Sequence, residues 1–166
     1  MSVPTSSAQQ RHQEEKYLTF YLNNEEYGIP IHKVKEIIGM TEITAIPQQK
    51  QYYRGVINLR DRIIPVLDLR LRLNRPCPAD SERTCIIVVE VARADRLVPT
   101  GMIVDSVSEV LQINEKQVEN TANVDSADNS SYLLGVAKVE GKVKILIDID
   151  RIVDKGDLQA LLEKVA

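Results

Sequence analysis

Short stretches of alternating apolar and polar residues, separated by turn signals, run through most of this chain. A period of two is typical of half-buried strands, and the pairs Asn23-Asn24 and Arg60-Asp61 each separate two such stretches as a hairpin turn would. Short strands with closely spaced turns favour small barrels, because closing a barrel removes exposed strand edges. The pattern therefore predicts a mainly β fold, with strands at residues 17–22, 25–29, 55–59, 63–67, 86–91 and 98–104 and a hairpin at 136–147.

Helical spacing replaces the alternation in two places. The first is a helical turn that begins near Ile31 and is predicted to end at Gly39. The second is an amphipathic helix over residues 156–166, which is expected to pack on the body, with docking to a partner as the alternative. Polar segments at the N-terminus and at residues 112–131 predict a disordered tail and a long loop. The apolar positions behind the two helices are Ile31, Val34, Ile37 and Ile38, and Leu158, Leu161, Leu162 and Val165.

The chain contains the same pattern twice, which implies two similar subdomains. Gly55 and Asp68 of the first copy match Gly135 and Asp148 of the second, and each aspartate is predicted to cap a helical turn. Features that both copies share build the fold, so features of one copy alone are the better candidates for function. The matched ranges are 27–38 with 100–111 and 54–69 with 134–149.

The two copies differ at the tip of the matched hairpin. The first copy has Asn58, Arg60, Asp61 and Arg62, and the second has Lys138, Glu140, Gly141 and Lys142. An exposed ion pair contributes little to stability, so Arg60 is interpreted as an interface residue in preference to a solvated turn residue. We expect Glu36 to pair with Arg60 and to fix its rotamer for a partner.

Composition narrows the class of protein. A net charge of −3 disfavours nucleic-acid binding by the whole surface, and no apolar run of about 18 residues predicts a transmembrane helix. Cys77 and Cys85 lack a metal-binding spacing, so reduced thiols in a cytoplasmic protein are expected. Residues 54–75 hold six arginines and two aspartates, which keeps a small-barrel nucleic-acid-binding protein as a distant alternative.

No catalytic or metal-binding motif emerges from the sequence. There is no GxSxG, HExxH or Walker-type loop, and His32 has no nearby Cys or second His. Asp148, Asp150 and Asp154 are not read as a magnesium cluster, since Asp148 has a capping counterpart and no phosphate loop accompanies them. The sequence predicts a non-enzymatic interaction module without catalytic residues, metal or cofactor.

Over about residues 15 to 155 the chain resembles the chemotaxis coupling protein family, CheW. The motifs that carry this resemblance are Glu26-Tyr27-Gly28-Ile29 and Val34-Lys35-Glu36-Ile37, then Arg54-Gly55-Val56-Ile57-Asn58-Leu59-Arg60, then Ile64 to Arg70, Gly101 to Leu111 and Tyr132 to Ile149. The resemblance implies two five-stranded SH3-like β-barrels from an internal duplication, packed on a shared apolar core. Residues 1–14 would be a tail, 15–155 two intertwined barrels with a linker near 75–83, and 156–166 the C-terminal helix.

The resemblance also implies a function. Such proteins are cytoplasmic adaptors that couple methyl-accepting chemoreceptors to the regulatory domain of the histidine kinase CheA in signalling arrays. A scaffold of a non-flagellar pathway, for surface motility or pilus control, is the nearest alternative. The family usually has Gly where this chain has Asp61. By motif, the receptor-binding residues would be Val34, Glu36, Ile37, Asn58, Leu59 and Arg60, and the kinase-coupling residues Gly55 and Arg60.

Overall fold

The structure, a computed structural model, describes residues 14–93, 95–119 and 132–153. These residues form a mainly β fold, as the alternation predicts, and no helix among them is long and apolar enough to span a membrane. The predicted helix at 156–166 lies outside the described residues. The strands are β1 (Glu14–Leu22), β2 (Glu25–Pro30), β3 (Val34–Gly39), β4 (Tyr53–Leu59), β5 (Arg62–Asp68), β6 (Cys85–Arg93), β7 (Arg96–Val104), β8 (Ser106–Asn114), β9 (Val118–Glu119), β10 (Leu133–Val139) and β11 (Lys142–Ile147).

Two single-turn α-helices, α1 (Leu69–Arg72) and α2 (Ile149–Ile152), follow the matched hairpins. Asp68 accepts a hydrogen bond from the backbone N–H of Arg70, and Asp148 accepts one from Asp150. Both are therefore N-caps, as the duplicated pattern predicts.

The strands form two sheets, and each sheet takes strands from both copies of the repeat. The first has the order β8-β1-β2-β11-β10-β9 and the second the order β3-β6-β7-β5-β4. Hairpins supply the antiparallel pairs, while two parallel pairs, β2 with β11 and β5 with β7, join strands that are distant in sequence. The two halves therefore exchange a hairpin.

Three apolar clusters hold the sheets together. The shared core contains residues of both sheets, such as Phe20 and Ile29 from the first and Ile87 and Met102 from the second. Each of the other two clusters is confined to one sheet, and we call them interior one and interior two. Interior one lies in the second sheet and contains Ile57, Ile64, Val66, Ile86, Val88 and Ile103. Interior two lies in the first sheet and contains Tyr17, Ile113, Ala137 and Leu146. Each interior draws residues from strands near both edges of its sheet, so each sheet curls into a barrel around its own interior.

Two predicted elements differ in the structure. The helical turn predicted from Ile31 to Gly39 is wrong, because only Ile31–Lys33 is a 3₁₀ helix and the rest is strand β3. The loop predicted at 112–131 is wrong in its first part, where β8 continues to Asn114 and the short strand β9 pairs with β10. Val34 and Ile38 of the first segment, and Ile113 and Val118 of the second, pack in the apolar clusters, which favours extended backbone.

Arg70, one of the six arginines of residues 54–75, is fully buried. Its Nε and Nη2 donate to the two carboxylate oxygens of Asp68 at 3.0 and 2.9 Å, and its Nη1 donates to Asp105 at 2.8 Å. Burial alone would raise the pKa of Asp68, but the hydrogen bonds and charge of Arg70 outweigh it and hold that pKa below its ordinary value. The network fastens α1 to the turn before β8, which belongs to the other copy.

Candidate functional site

A β-bulge in the edge strand β3 decides which way its side chains point. Val34 pairs with Val89 and Glu36 with Val88, so Lys35 is an extra residue in the ladder. Paired residues point to the same face of a sheet. The partners of Val34 and Ile37 are Val89 and Ile87, which belong to the shared core, so both side chains lie on that face. The partner of Glu36 is Val88, which belongs to interior one, so Glu36 lies on the opposite face. The structure thus places the predicted receptor-binding residues of β3 on two sides of one edge strand.

A groove of about 1020 Å³ lies between the two sheets on the shared-core face of β3. Ile37, with 44% of its surface exposed, lines this groove together with Cys85 of the same sheet and Val107 of β8. Val34 is half-buried and packs against the shared core. Ile37 is therefore accessible to a partner, whereas Val34 also supports the fold.

Polar residues surround these apolar contacts. The turn after β1, the start of β8 and the segment before β6 supply hydroxyls, amides and charges, so an apolar helix face that enters the groove would meet a hydrogen-bonding rim. The polar lining residues are Tyr21, Asn23, Asn24, Ser81, Arg83, Asp105, Ser106 and Ser108.

The predicted ion pair between Glu36 and Arg60 is confirmed. Arg60 donates from Nη1 to Glu36 Oε2, and the side chain of Arg60 is 72% exposed while that of Glu36 is 19% exposed. The hydrogen bond from Arg60 holds the pKa of Glu36 below its ordinary value, so the carboxylate is charged at neutral pH. The pair fixes the position of the guanidinium while leaving most of its surface open to a partner.

The β4–β5 hairpin carries the remaining predicted residues. Asn58 is exposed near its tip, whereas Leu59 is half-buried and packs against interior one. Arg60 and Asp61 both have positive φ, 52° and 65°, which is the two-residue turn that suits the twist of antiparallel strands. Asp61 therefore takes the backbone conformation that Gly141, with φ of 78°, takes in the matching hairpin.

Gly55 has a structural reason for its identity. Its φ is +140°, and a Cβ at this position would lie 2.0 Å from the carbonyl oxygen of Thr44. Thr44 and Val56 form an isolated bridge that brings the chain after β3 onto β4. Gly55 thus allows the close approach of these two segments, and its predicted kinase-coupling role stays a prediction.

The second copy lacks an equivalent of the ion pair. Glu109 matches Glu36 and Glu140 matches Arg60, so both groups are negative and cannot pair. Exposed apolar residues are nevertheless repeated: Val110 is 51% exposed where the first copy has Ile37, and Val143 is 56% exposed where the first copy has Ile63. What distinguishes the first copy is therefore the arginine at its tip.

Of the residues that line the groove, sequence reasoning predicted only Ile37 and missed its apolar neighbours Cys85 and Val107. The duplication contained a signal for the second, since Val107 matches Val34 of the first copy. Both cysteines are free, and burial raises the pKa of the Cys85 thiol, which keeps it protonated. Within residues 14–93, 95–119 and 132–153, no group of three or more His, Cys, Asp or Glu side chains is arranged to hold a metal ion.

Comparisons with known proteins agree with these features. The family model of the CheW-like domain matches residues 16–157. The chemotaxis protein CheW of Klebsiella aerogenes is 34% identical over 152 residues, which are 92% of this chain and 89% of that protein. That of Bacillus subtilis is 33% identical over 146 residues, which are 88% of this chain and 91% of that protein. The crystal structure of the scaffolding protein TtCheW from Thermoanaerobacter tengcongensis aligns with a TM-score of 0.75 at 33% identity, covering 83% of this chain and 91% of that one.

Proposed function

The chain belongs to the CheW-like domain family, and from this premise we propose that it is a non-enzymatic adaptor that couples methyl-accepting chemoreceptors to a chemotaxis histidine kinase. Its relatives are named chemotaxis proteins, and the matching solved structure is named a scaffolding protein. We place it in the cytoplasm, at membrane receptor arrays.

The groove beside β3 is the observation that carries this proposal. Receptor signalling tips are helical hairpins, and a helix binds by laying an apolar stripe into a groove with a polar rim. Ile37 would meet the apolar stripe, with Val107 and Cys85 as the neighbouring contacts. Arg60, held by Glu36 on the opposite face of β3, would orient the helix through a charged contact at the edge of the groove.

Coupling requires a second surface for the kinase on the same rigid body. The shared core joins the two barrels, so a partner bound to one is held in fixed geometry to a partner bound to the other. An adaptor that performs no chemistry changes kinase activity only by binding active and inactive states of the assembly with different affinity. We propose that the β4–β5 hairpin, with Gly55 and Arg60, contributes to this kinase coupling.

The arginines of residues 54–75 argue against the nucleic-acid alternative. A phosphate-binding strip needs cationic groups that are free to contact the backbone of a nucleic acid. Four of the six arginines instead have carboxylate partners inside the molecule, namely Arg54 and Arg70 with Asp68, Arg60 with Glu36, and Arg75 with Glu25. Arg72 stacks on Tyr52 and donates to the carbonyl of Ile152.

The test is co-sedimentation of three components: this chain, the histidine kinase encoded in the same genome, and receptor cytoplasmic fragments assembled on vesicles. We expect the kinase to sediment with receptor vesicles only when the chain is present. Ile37→Asp should abolish the chain's own sedimentation with receptors, while direct binding to the kinase persists. Sedimentation of the kinase at the same level without the chain would overturn the proposal. If the alternative of a surface-motility or pilus pathway holds, the receptors of that pathway will support sedimentation and flagellar receptors will not.

A further inference from the structure

Asp61 occupies a backbone conformation that glycine adopts without steric cost. Its φ is 65°, and the matching residue of the other hairpin, Gly141, has φ of 78° in the same type of turn. A Cβ on Gly141 would meet no atom within 4 Å, so the turn itself leaves room for either residue. The turn therefore does not require an aspartate, and the carboxylate needs another explanation.

Two of the three charges at the tip have no internal partner among the described residues. Arg60 pairs with Glu36, but Asp61 and Arg62 are exposed and have no ion-pair partner among the described residues. Ile63 follows them and is 48% exposed. The tip thus presents an unpaired carboxylate, an unpaired guanidinium and an apolar side chain in succession.

The tip and the groove lie on opposite faces of the same edge strand, β3. Glu36, which holds Arg60, is adjacent in sequence to Ile37, which lines the groove. In the proposed function a receptor helix lies along this edge and contacts Arg60, and Asp61 is the next residue of the turn. The same carboxylate is absent from the second copy, where glycine stands at the tip.

We propose that Asp61 is a specificity-determining residue of the receptor-binding surface, and that it selects receptor helices carrying a lysine or arginine opposite the hairpin tip. This inference rests on the proposed function. A carboxylate beside a bound helix attracts a basic side chain and repels an acidic one, so it discriminates between receptors that share the same apolar stripe. Its contribution is electrostatic and is therefore weakened by salt.

The experiment measures binding of the wild type, Asp61→Asn, Asp61→Gly and Asp61→Lys to the cytoplasmic signalling fragments of the chemoreceptors encoded in the same genome. Asparagine and glycine both accept positive φ, so they keep the turn and remove only the charge. At low salt we expect both to lower the affinity for the cognate fragment about fivefold, mainly through the association rate, and to flatten its salt dependence. Asp61→Lys should lower the affinity further, and exchanging the receptor's basic residue for glutamate should restore it.

Gly141→Asp is the matched control, because it places a carboxylate at the matching position of the other hairpin and should leave receptor affinity unchanged. Equal affinity and equal salt dependence of wild type, Asp61→Asn and Asp61→Gly would overturn the inference and leave the proposed function standing. A change in kinase binding with receptor binding unaltered would also overturn it. Failure of the wild type to bind any receptor fragment would instead refute the proposed function.

Discussion

Replacing Ile37 separates binding from folding more cleanly than replacing Val34 on the same strand. Ile37 lies on an edge strand and has 44% of its surface exposed, whereas its neighbour Val34 is half-buried against the shared core. A change at Val34 therefore disturbs the fold as well as the surface. Loss of Ile37 is expected to weaken receptor binding while the free protein stays folded.

The expected magnitude follows from the area that Ile37 still exposes. Full burial of an isoleucine side chain is worth about 1.5–3 kcal/mol, so burying the remaining 44% on binding contributes roughly 0.7–1.3 kcal/mol. Ile37→Ala should therefore raise Kd about three- to tenfold. Ile37→Asp also leaves an unpaired carboxylate in the interface, which adds about 1–3 kcal/mol and brings the loss to roughly 100-fold. The effect on the free energy of unfolding should be about 1 kcal/mol or less.

The assay is titration calorimetry with a receptor cytoplasmic fragment, beside urea unfolding of the same variants. Val110→Asp is the matched control, because Val110 occupies the equivalent position of β8 and is 51% exposed. It should leave receptor affinity unchanged. The reasoning is refuted if Ile37→Asp binds like the wild type, or if Val110→Asp and Ile37→Asp weaken binding equally.

Three further outcomes are expected. Glu36→Arg and Arg60→Glu should each reduce receptor affinity about tenfold in a pull-down titration. The double exchange should restore part of that affinity, because the ion pair re-forms with its charges reversed. No recovery would mean that the pair does not position Arg60. Gly55→Ala should lower the free energy of unfolding in urea by about 2–4 kcal/mol, since its Cβ would lie 2.0 Å from a backbone oxygen. Gly39→Ala is the control and should cost far less, because a Cβ there would meet no atom within 4 Å. Equal costs would contradict the close approach at Gly55. Arg70→Met should cost about 3–5 kcal/mol, because it removes the fully buried partner of the Asp68 carboxylate and leaves it only the ion pair with the partly exposed Arg54. A neutral result by the same assay would show that the network is not stabilising.

The sequence predicts the local elements well where local chemistry decides them. The hairpin turns at Asn23-Asn24 and Arg60-Asp61 and the caps at Asp68 and Asp148 all depend on residues that are adjacent in the chain. The pairing of Glu36 with Arg60 was also predicted, because only one copy has opposite charges at the two matched positions.

The errors arise where tertiary contacts decide. In β3 the bulge at Lys35 places Val34 and Ile37 on one face, and an apolar spacing of three residues imitates a helix. A single-sequence pattern also cannot show that α1 buries Arg70, because the partner Asp105 lies 35 residues away. The parallel pairs that place strands of both copies in each sheet join distant segments, so alternation alone does not reveal them.

The central claim is that this chain bridges receptor and kinase and makes kinase activity depend on the receptor. The most direct measurement is autophosphorylation of the kinase with receptor vesicles, with and without the chain, using Ile37→Asp and Val110→Asp as a matched pair. We expect receptor-dependent activity with the wild type and Val110→Asp, and only basal activity without the chain or with Ile37→Asp. The account would be contradicted if kinase activity were the same with and without the chain, under conditions in which the chain binds both the receptor vesicles and the kinase.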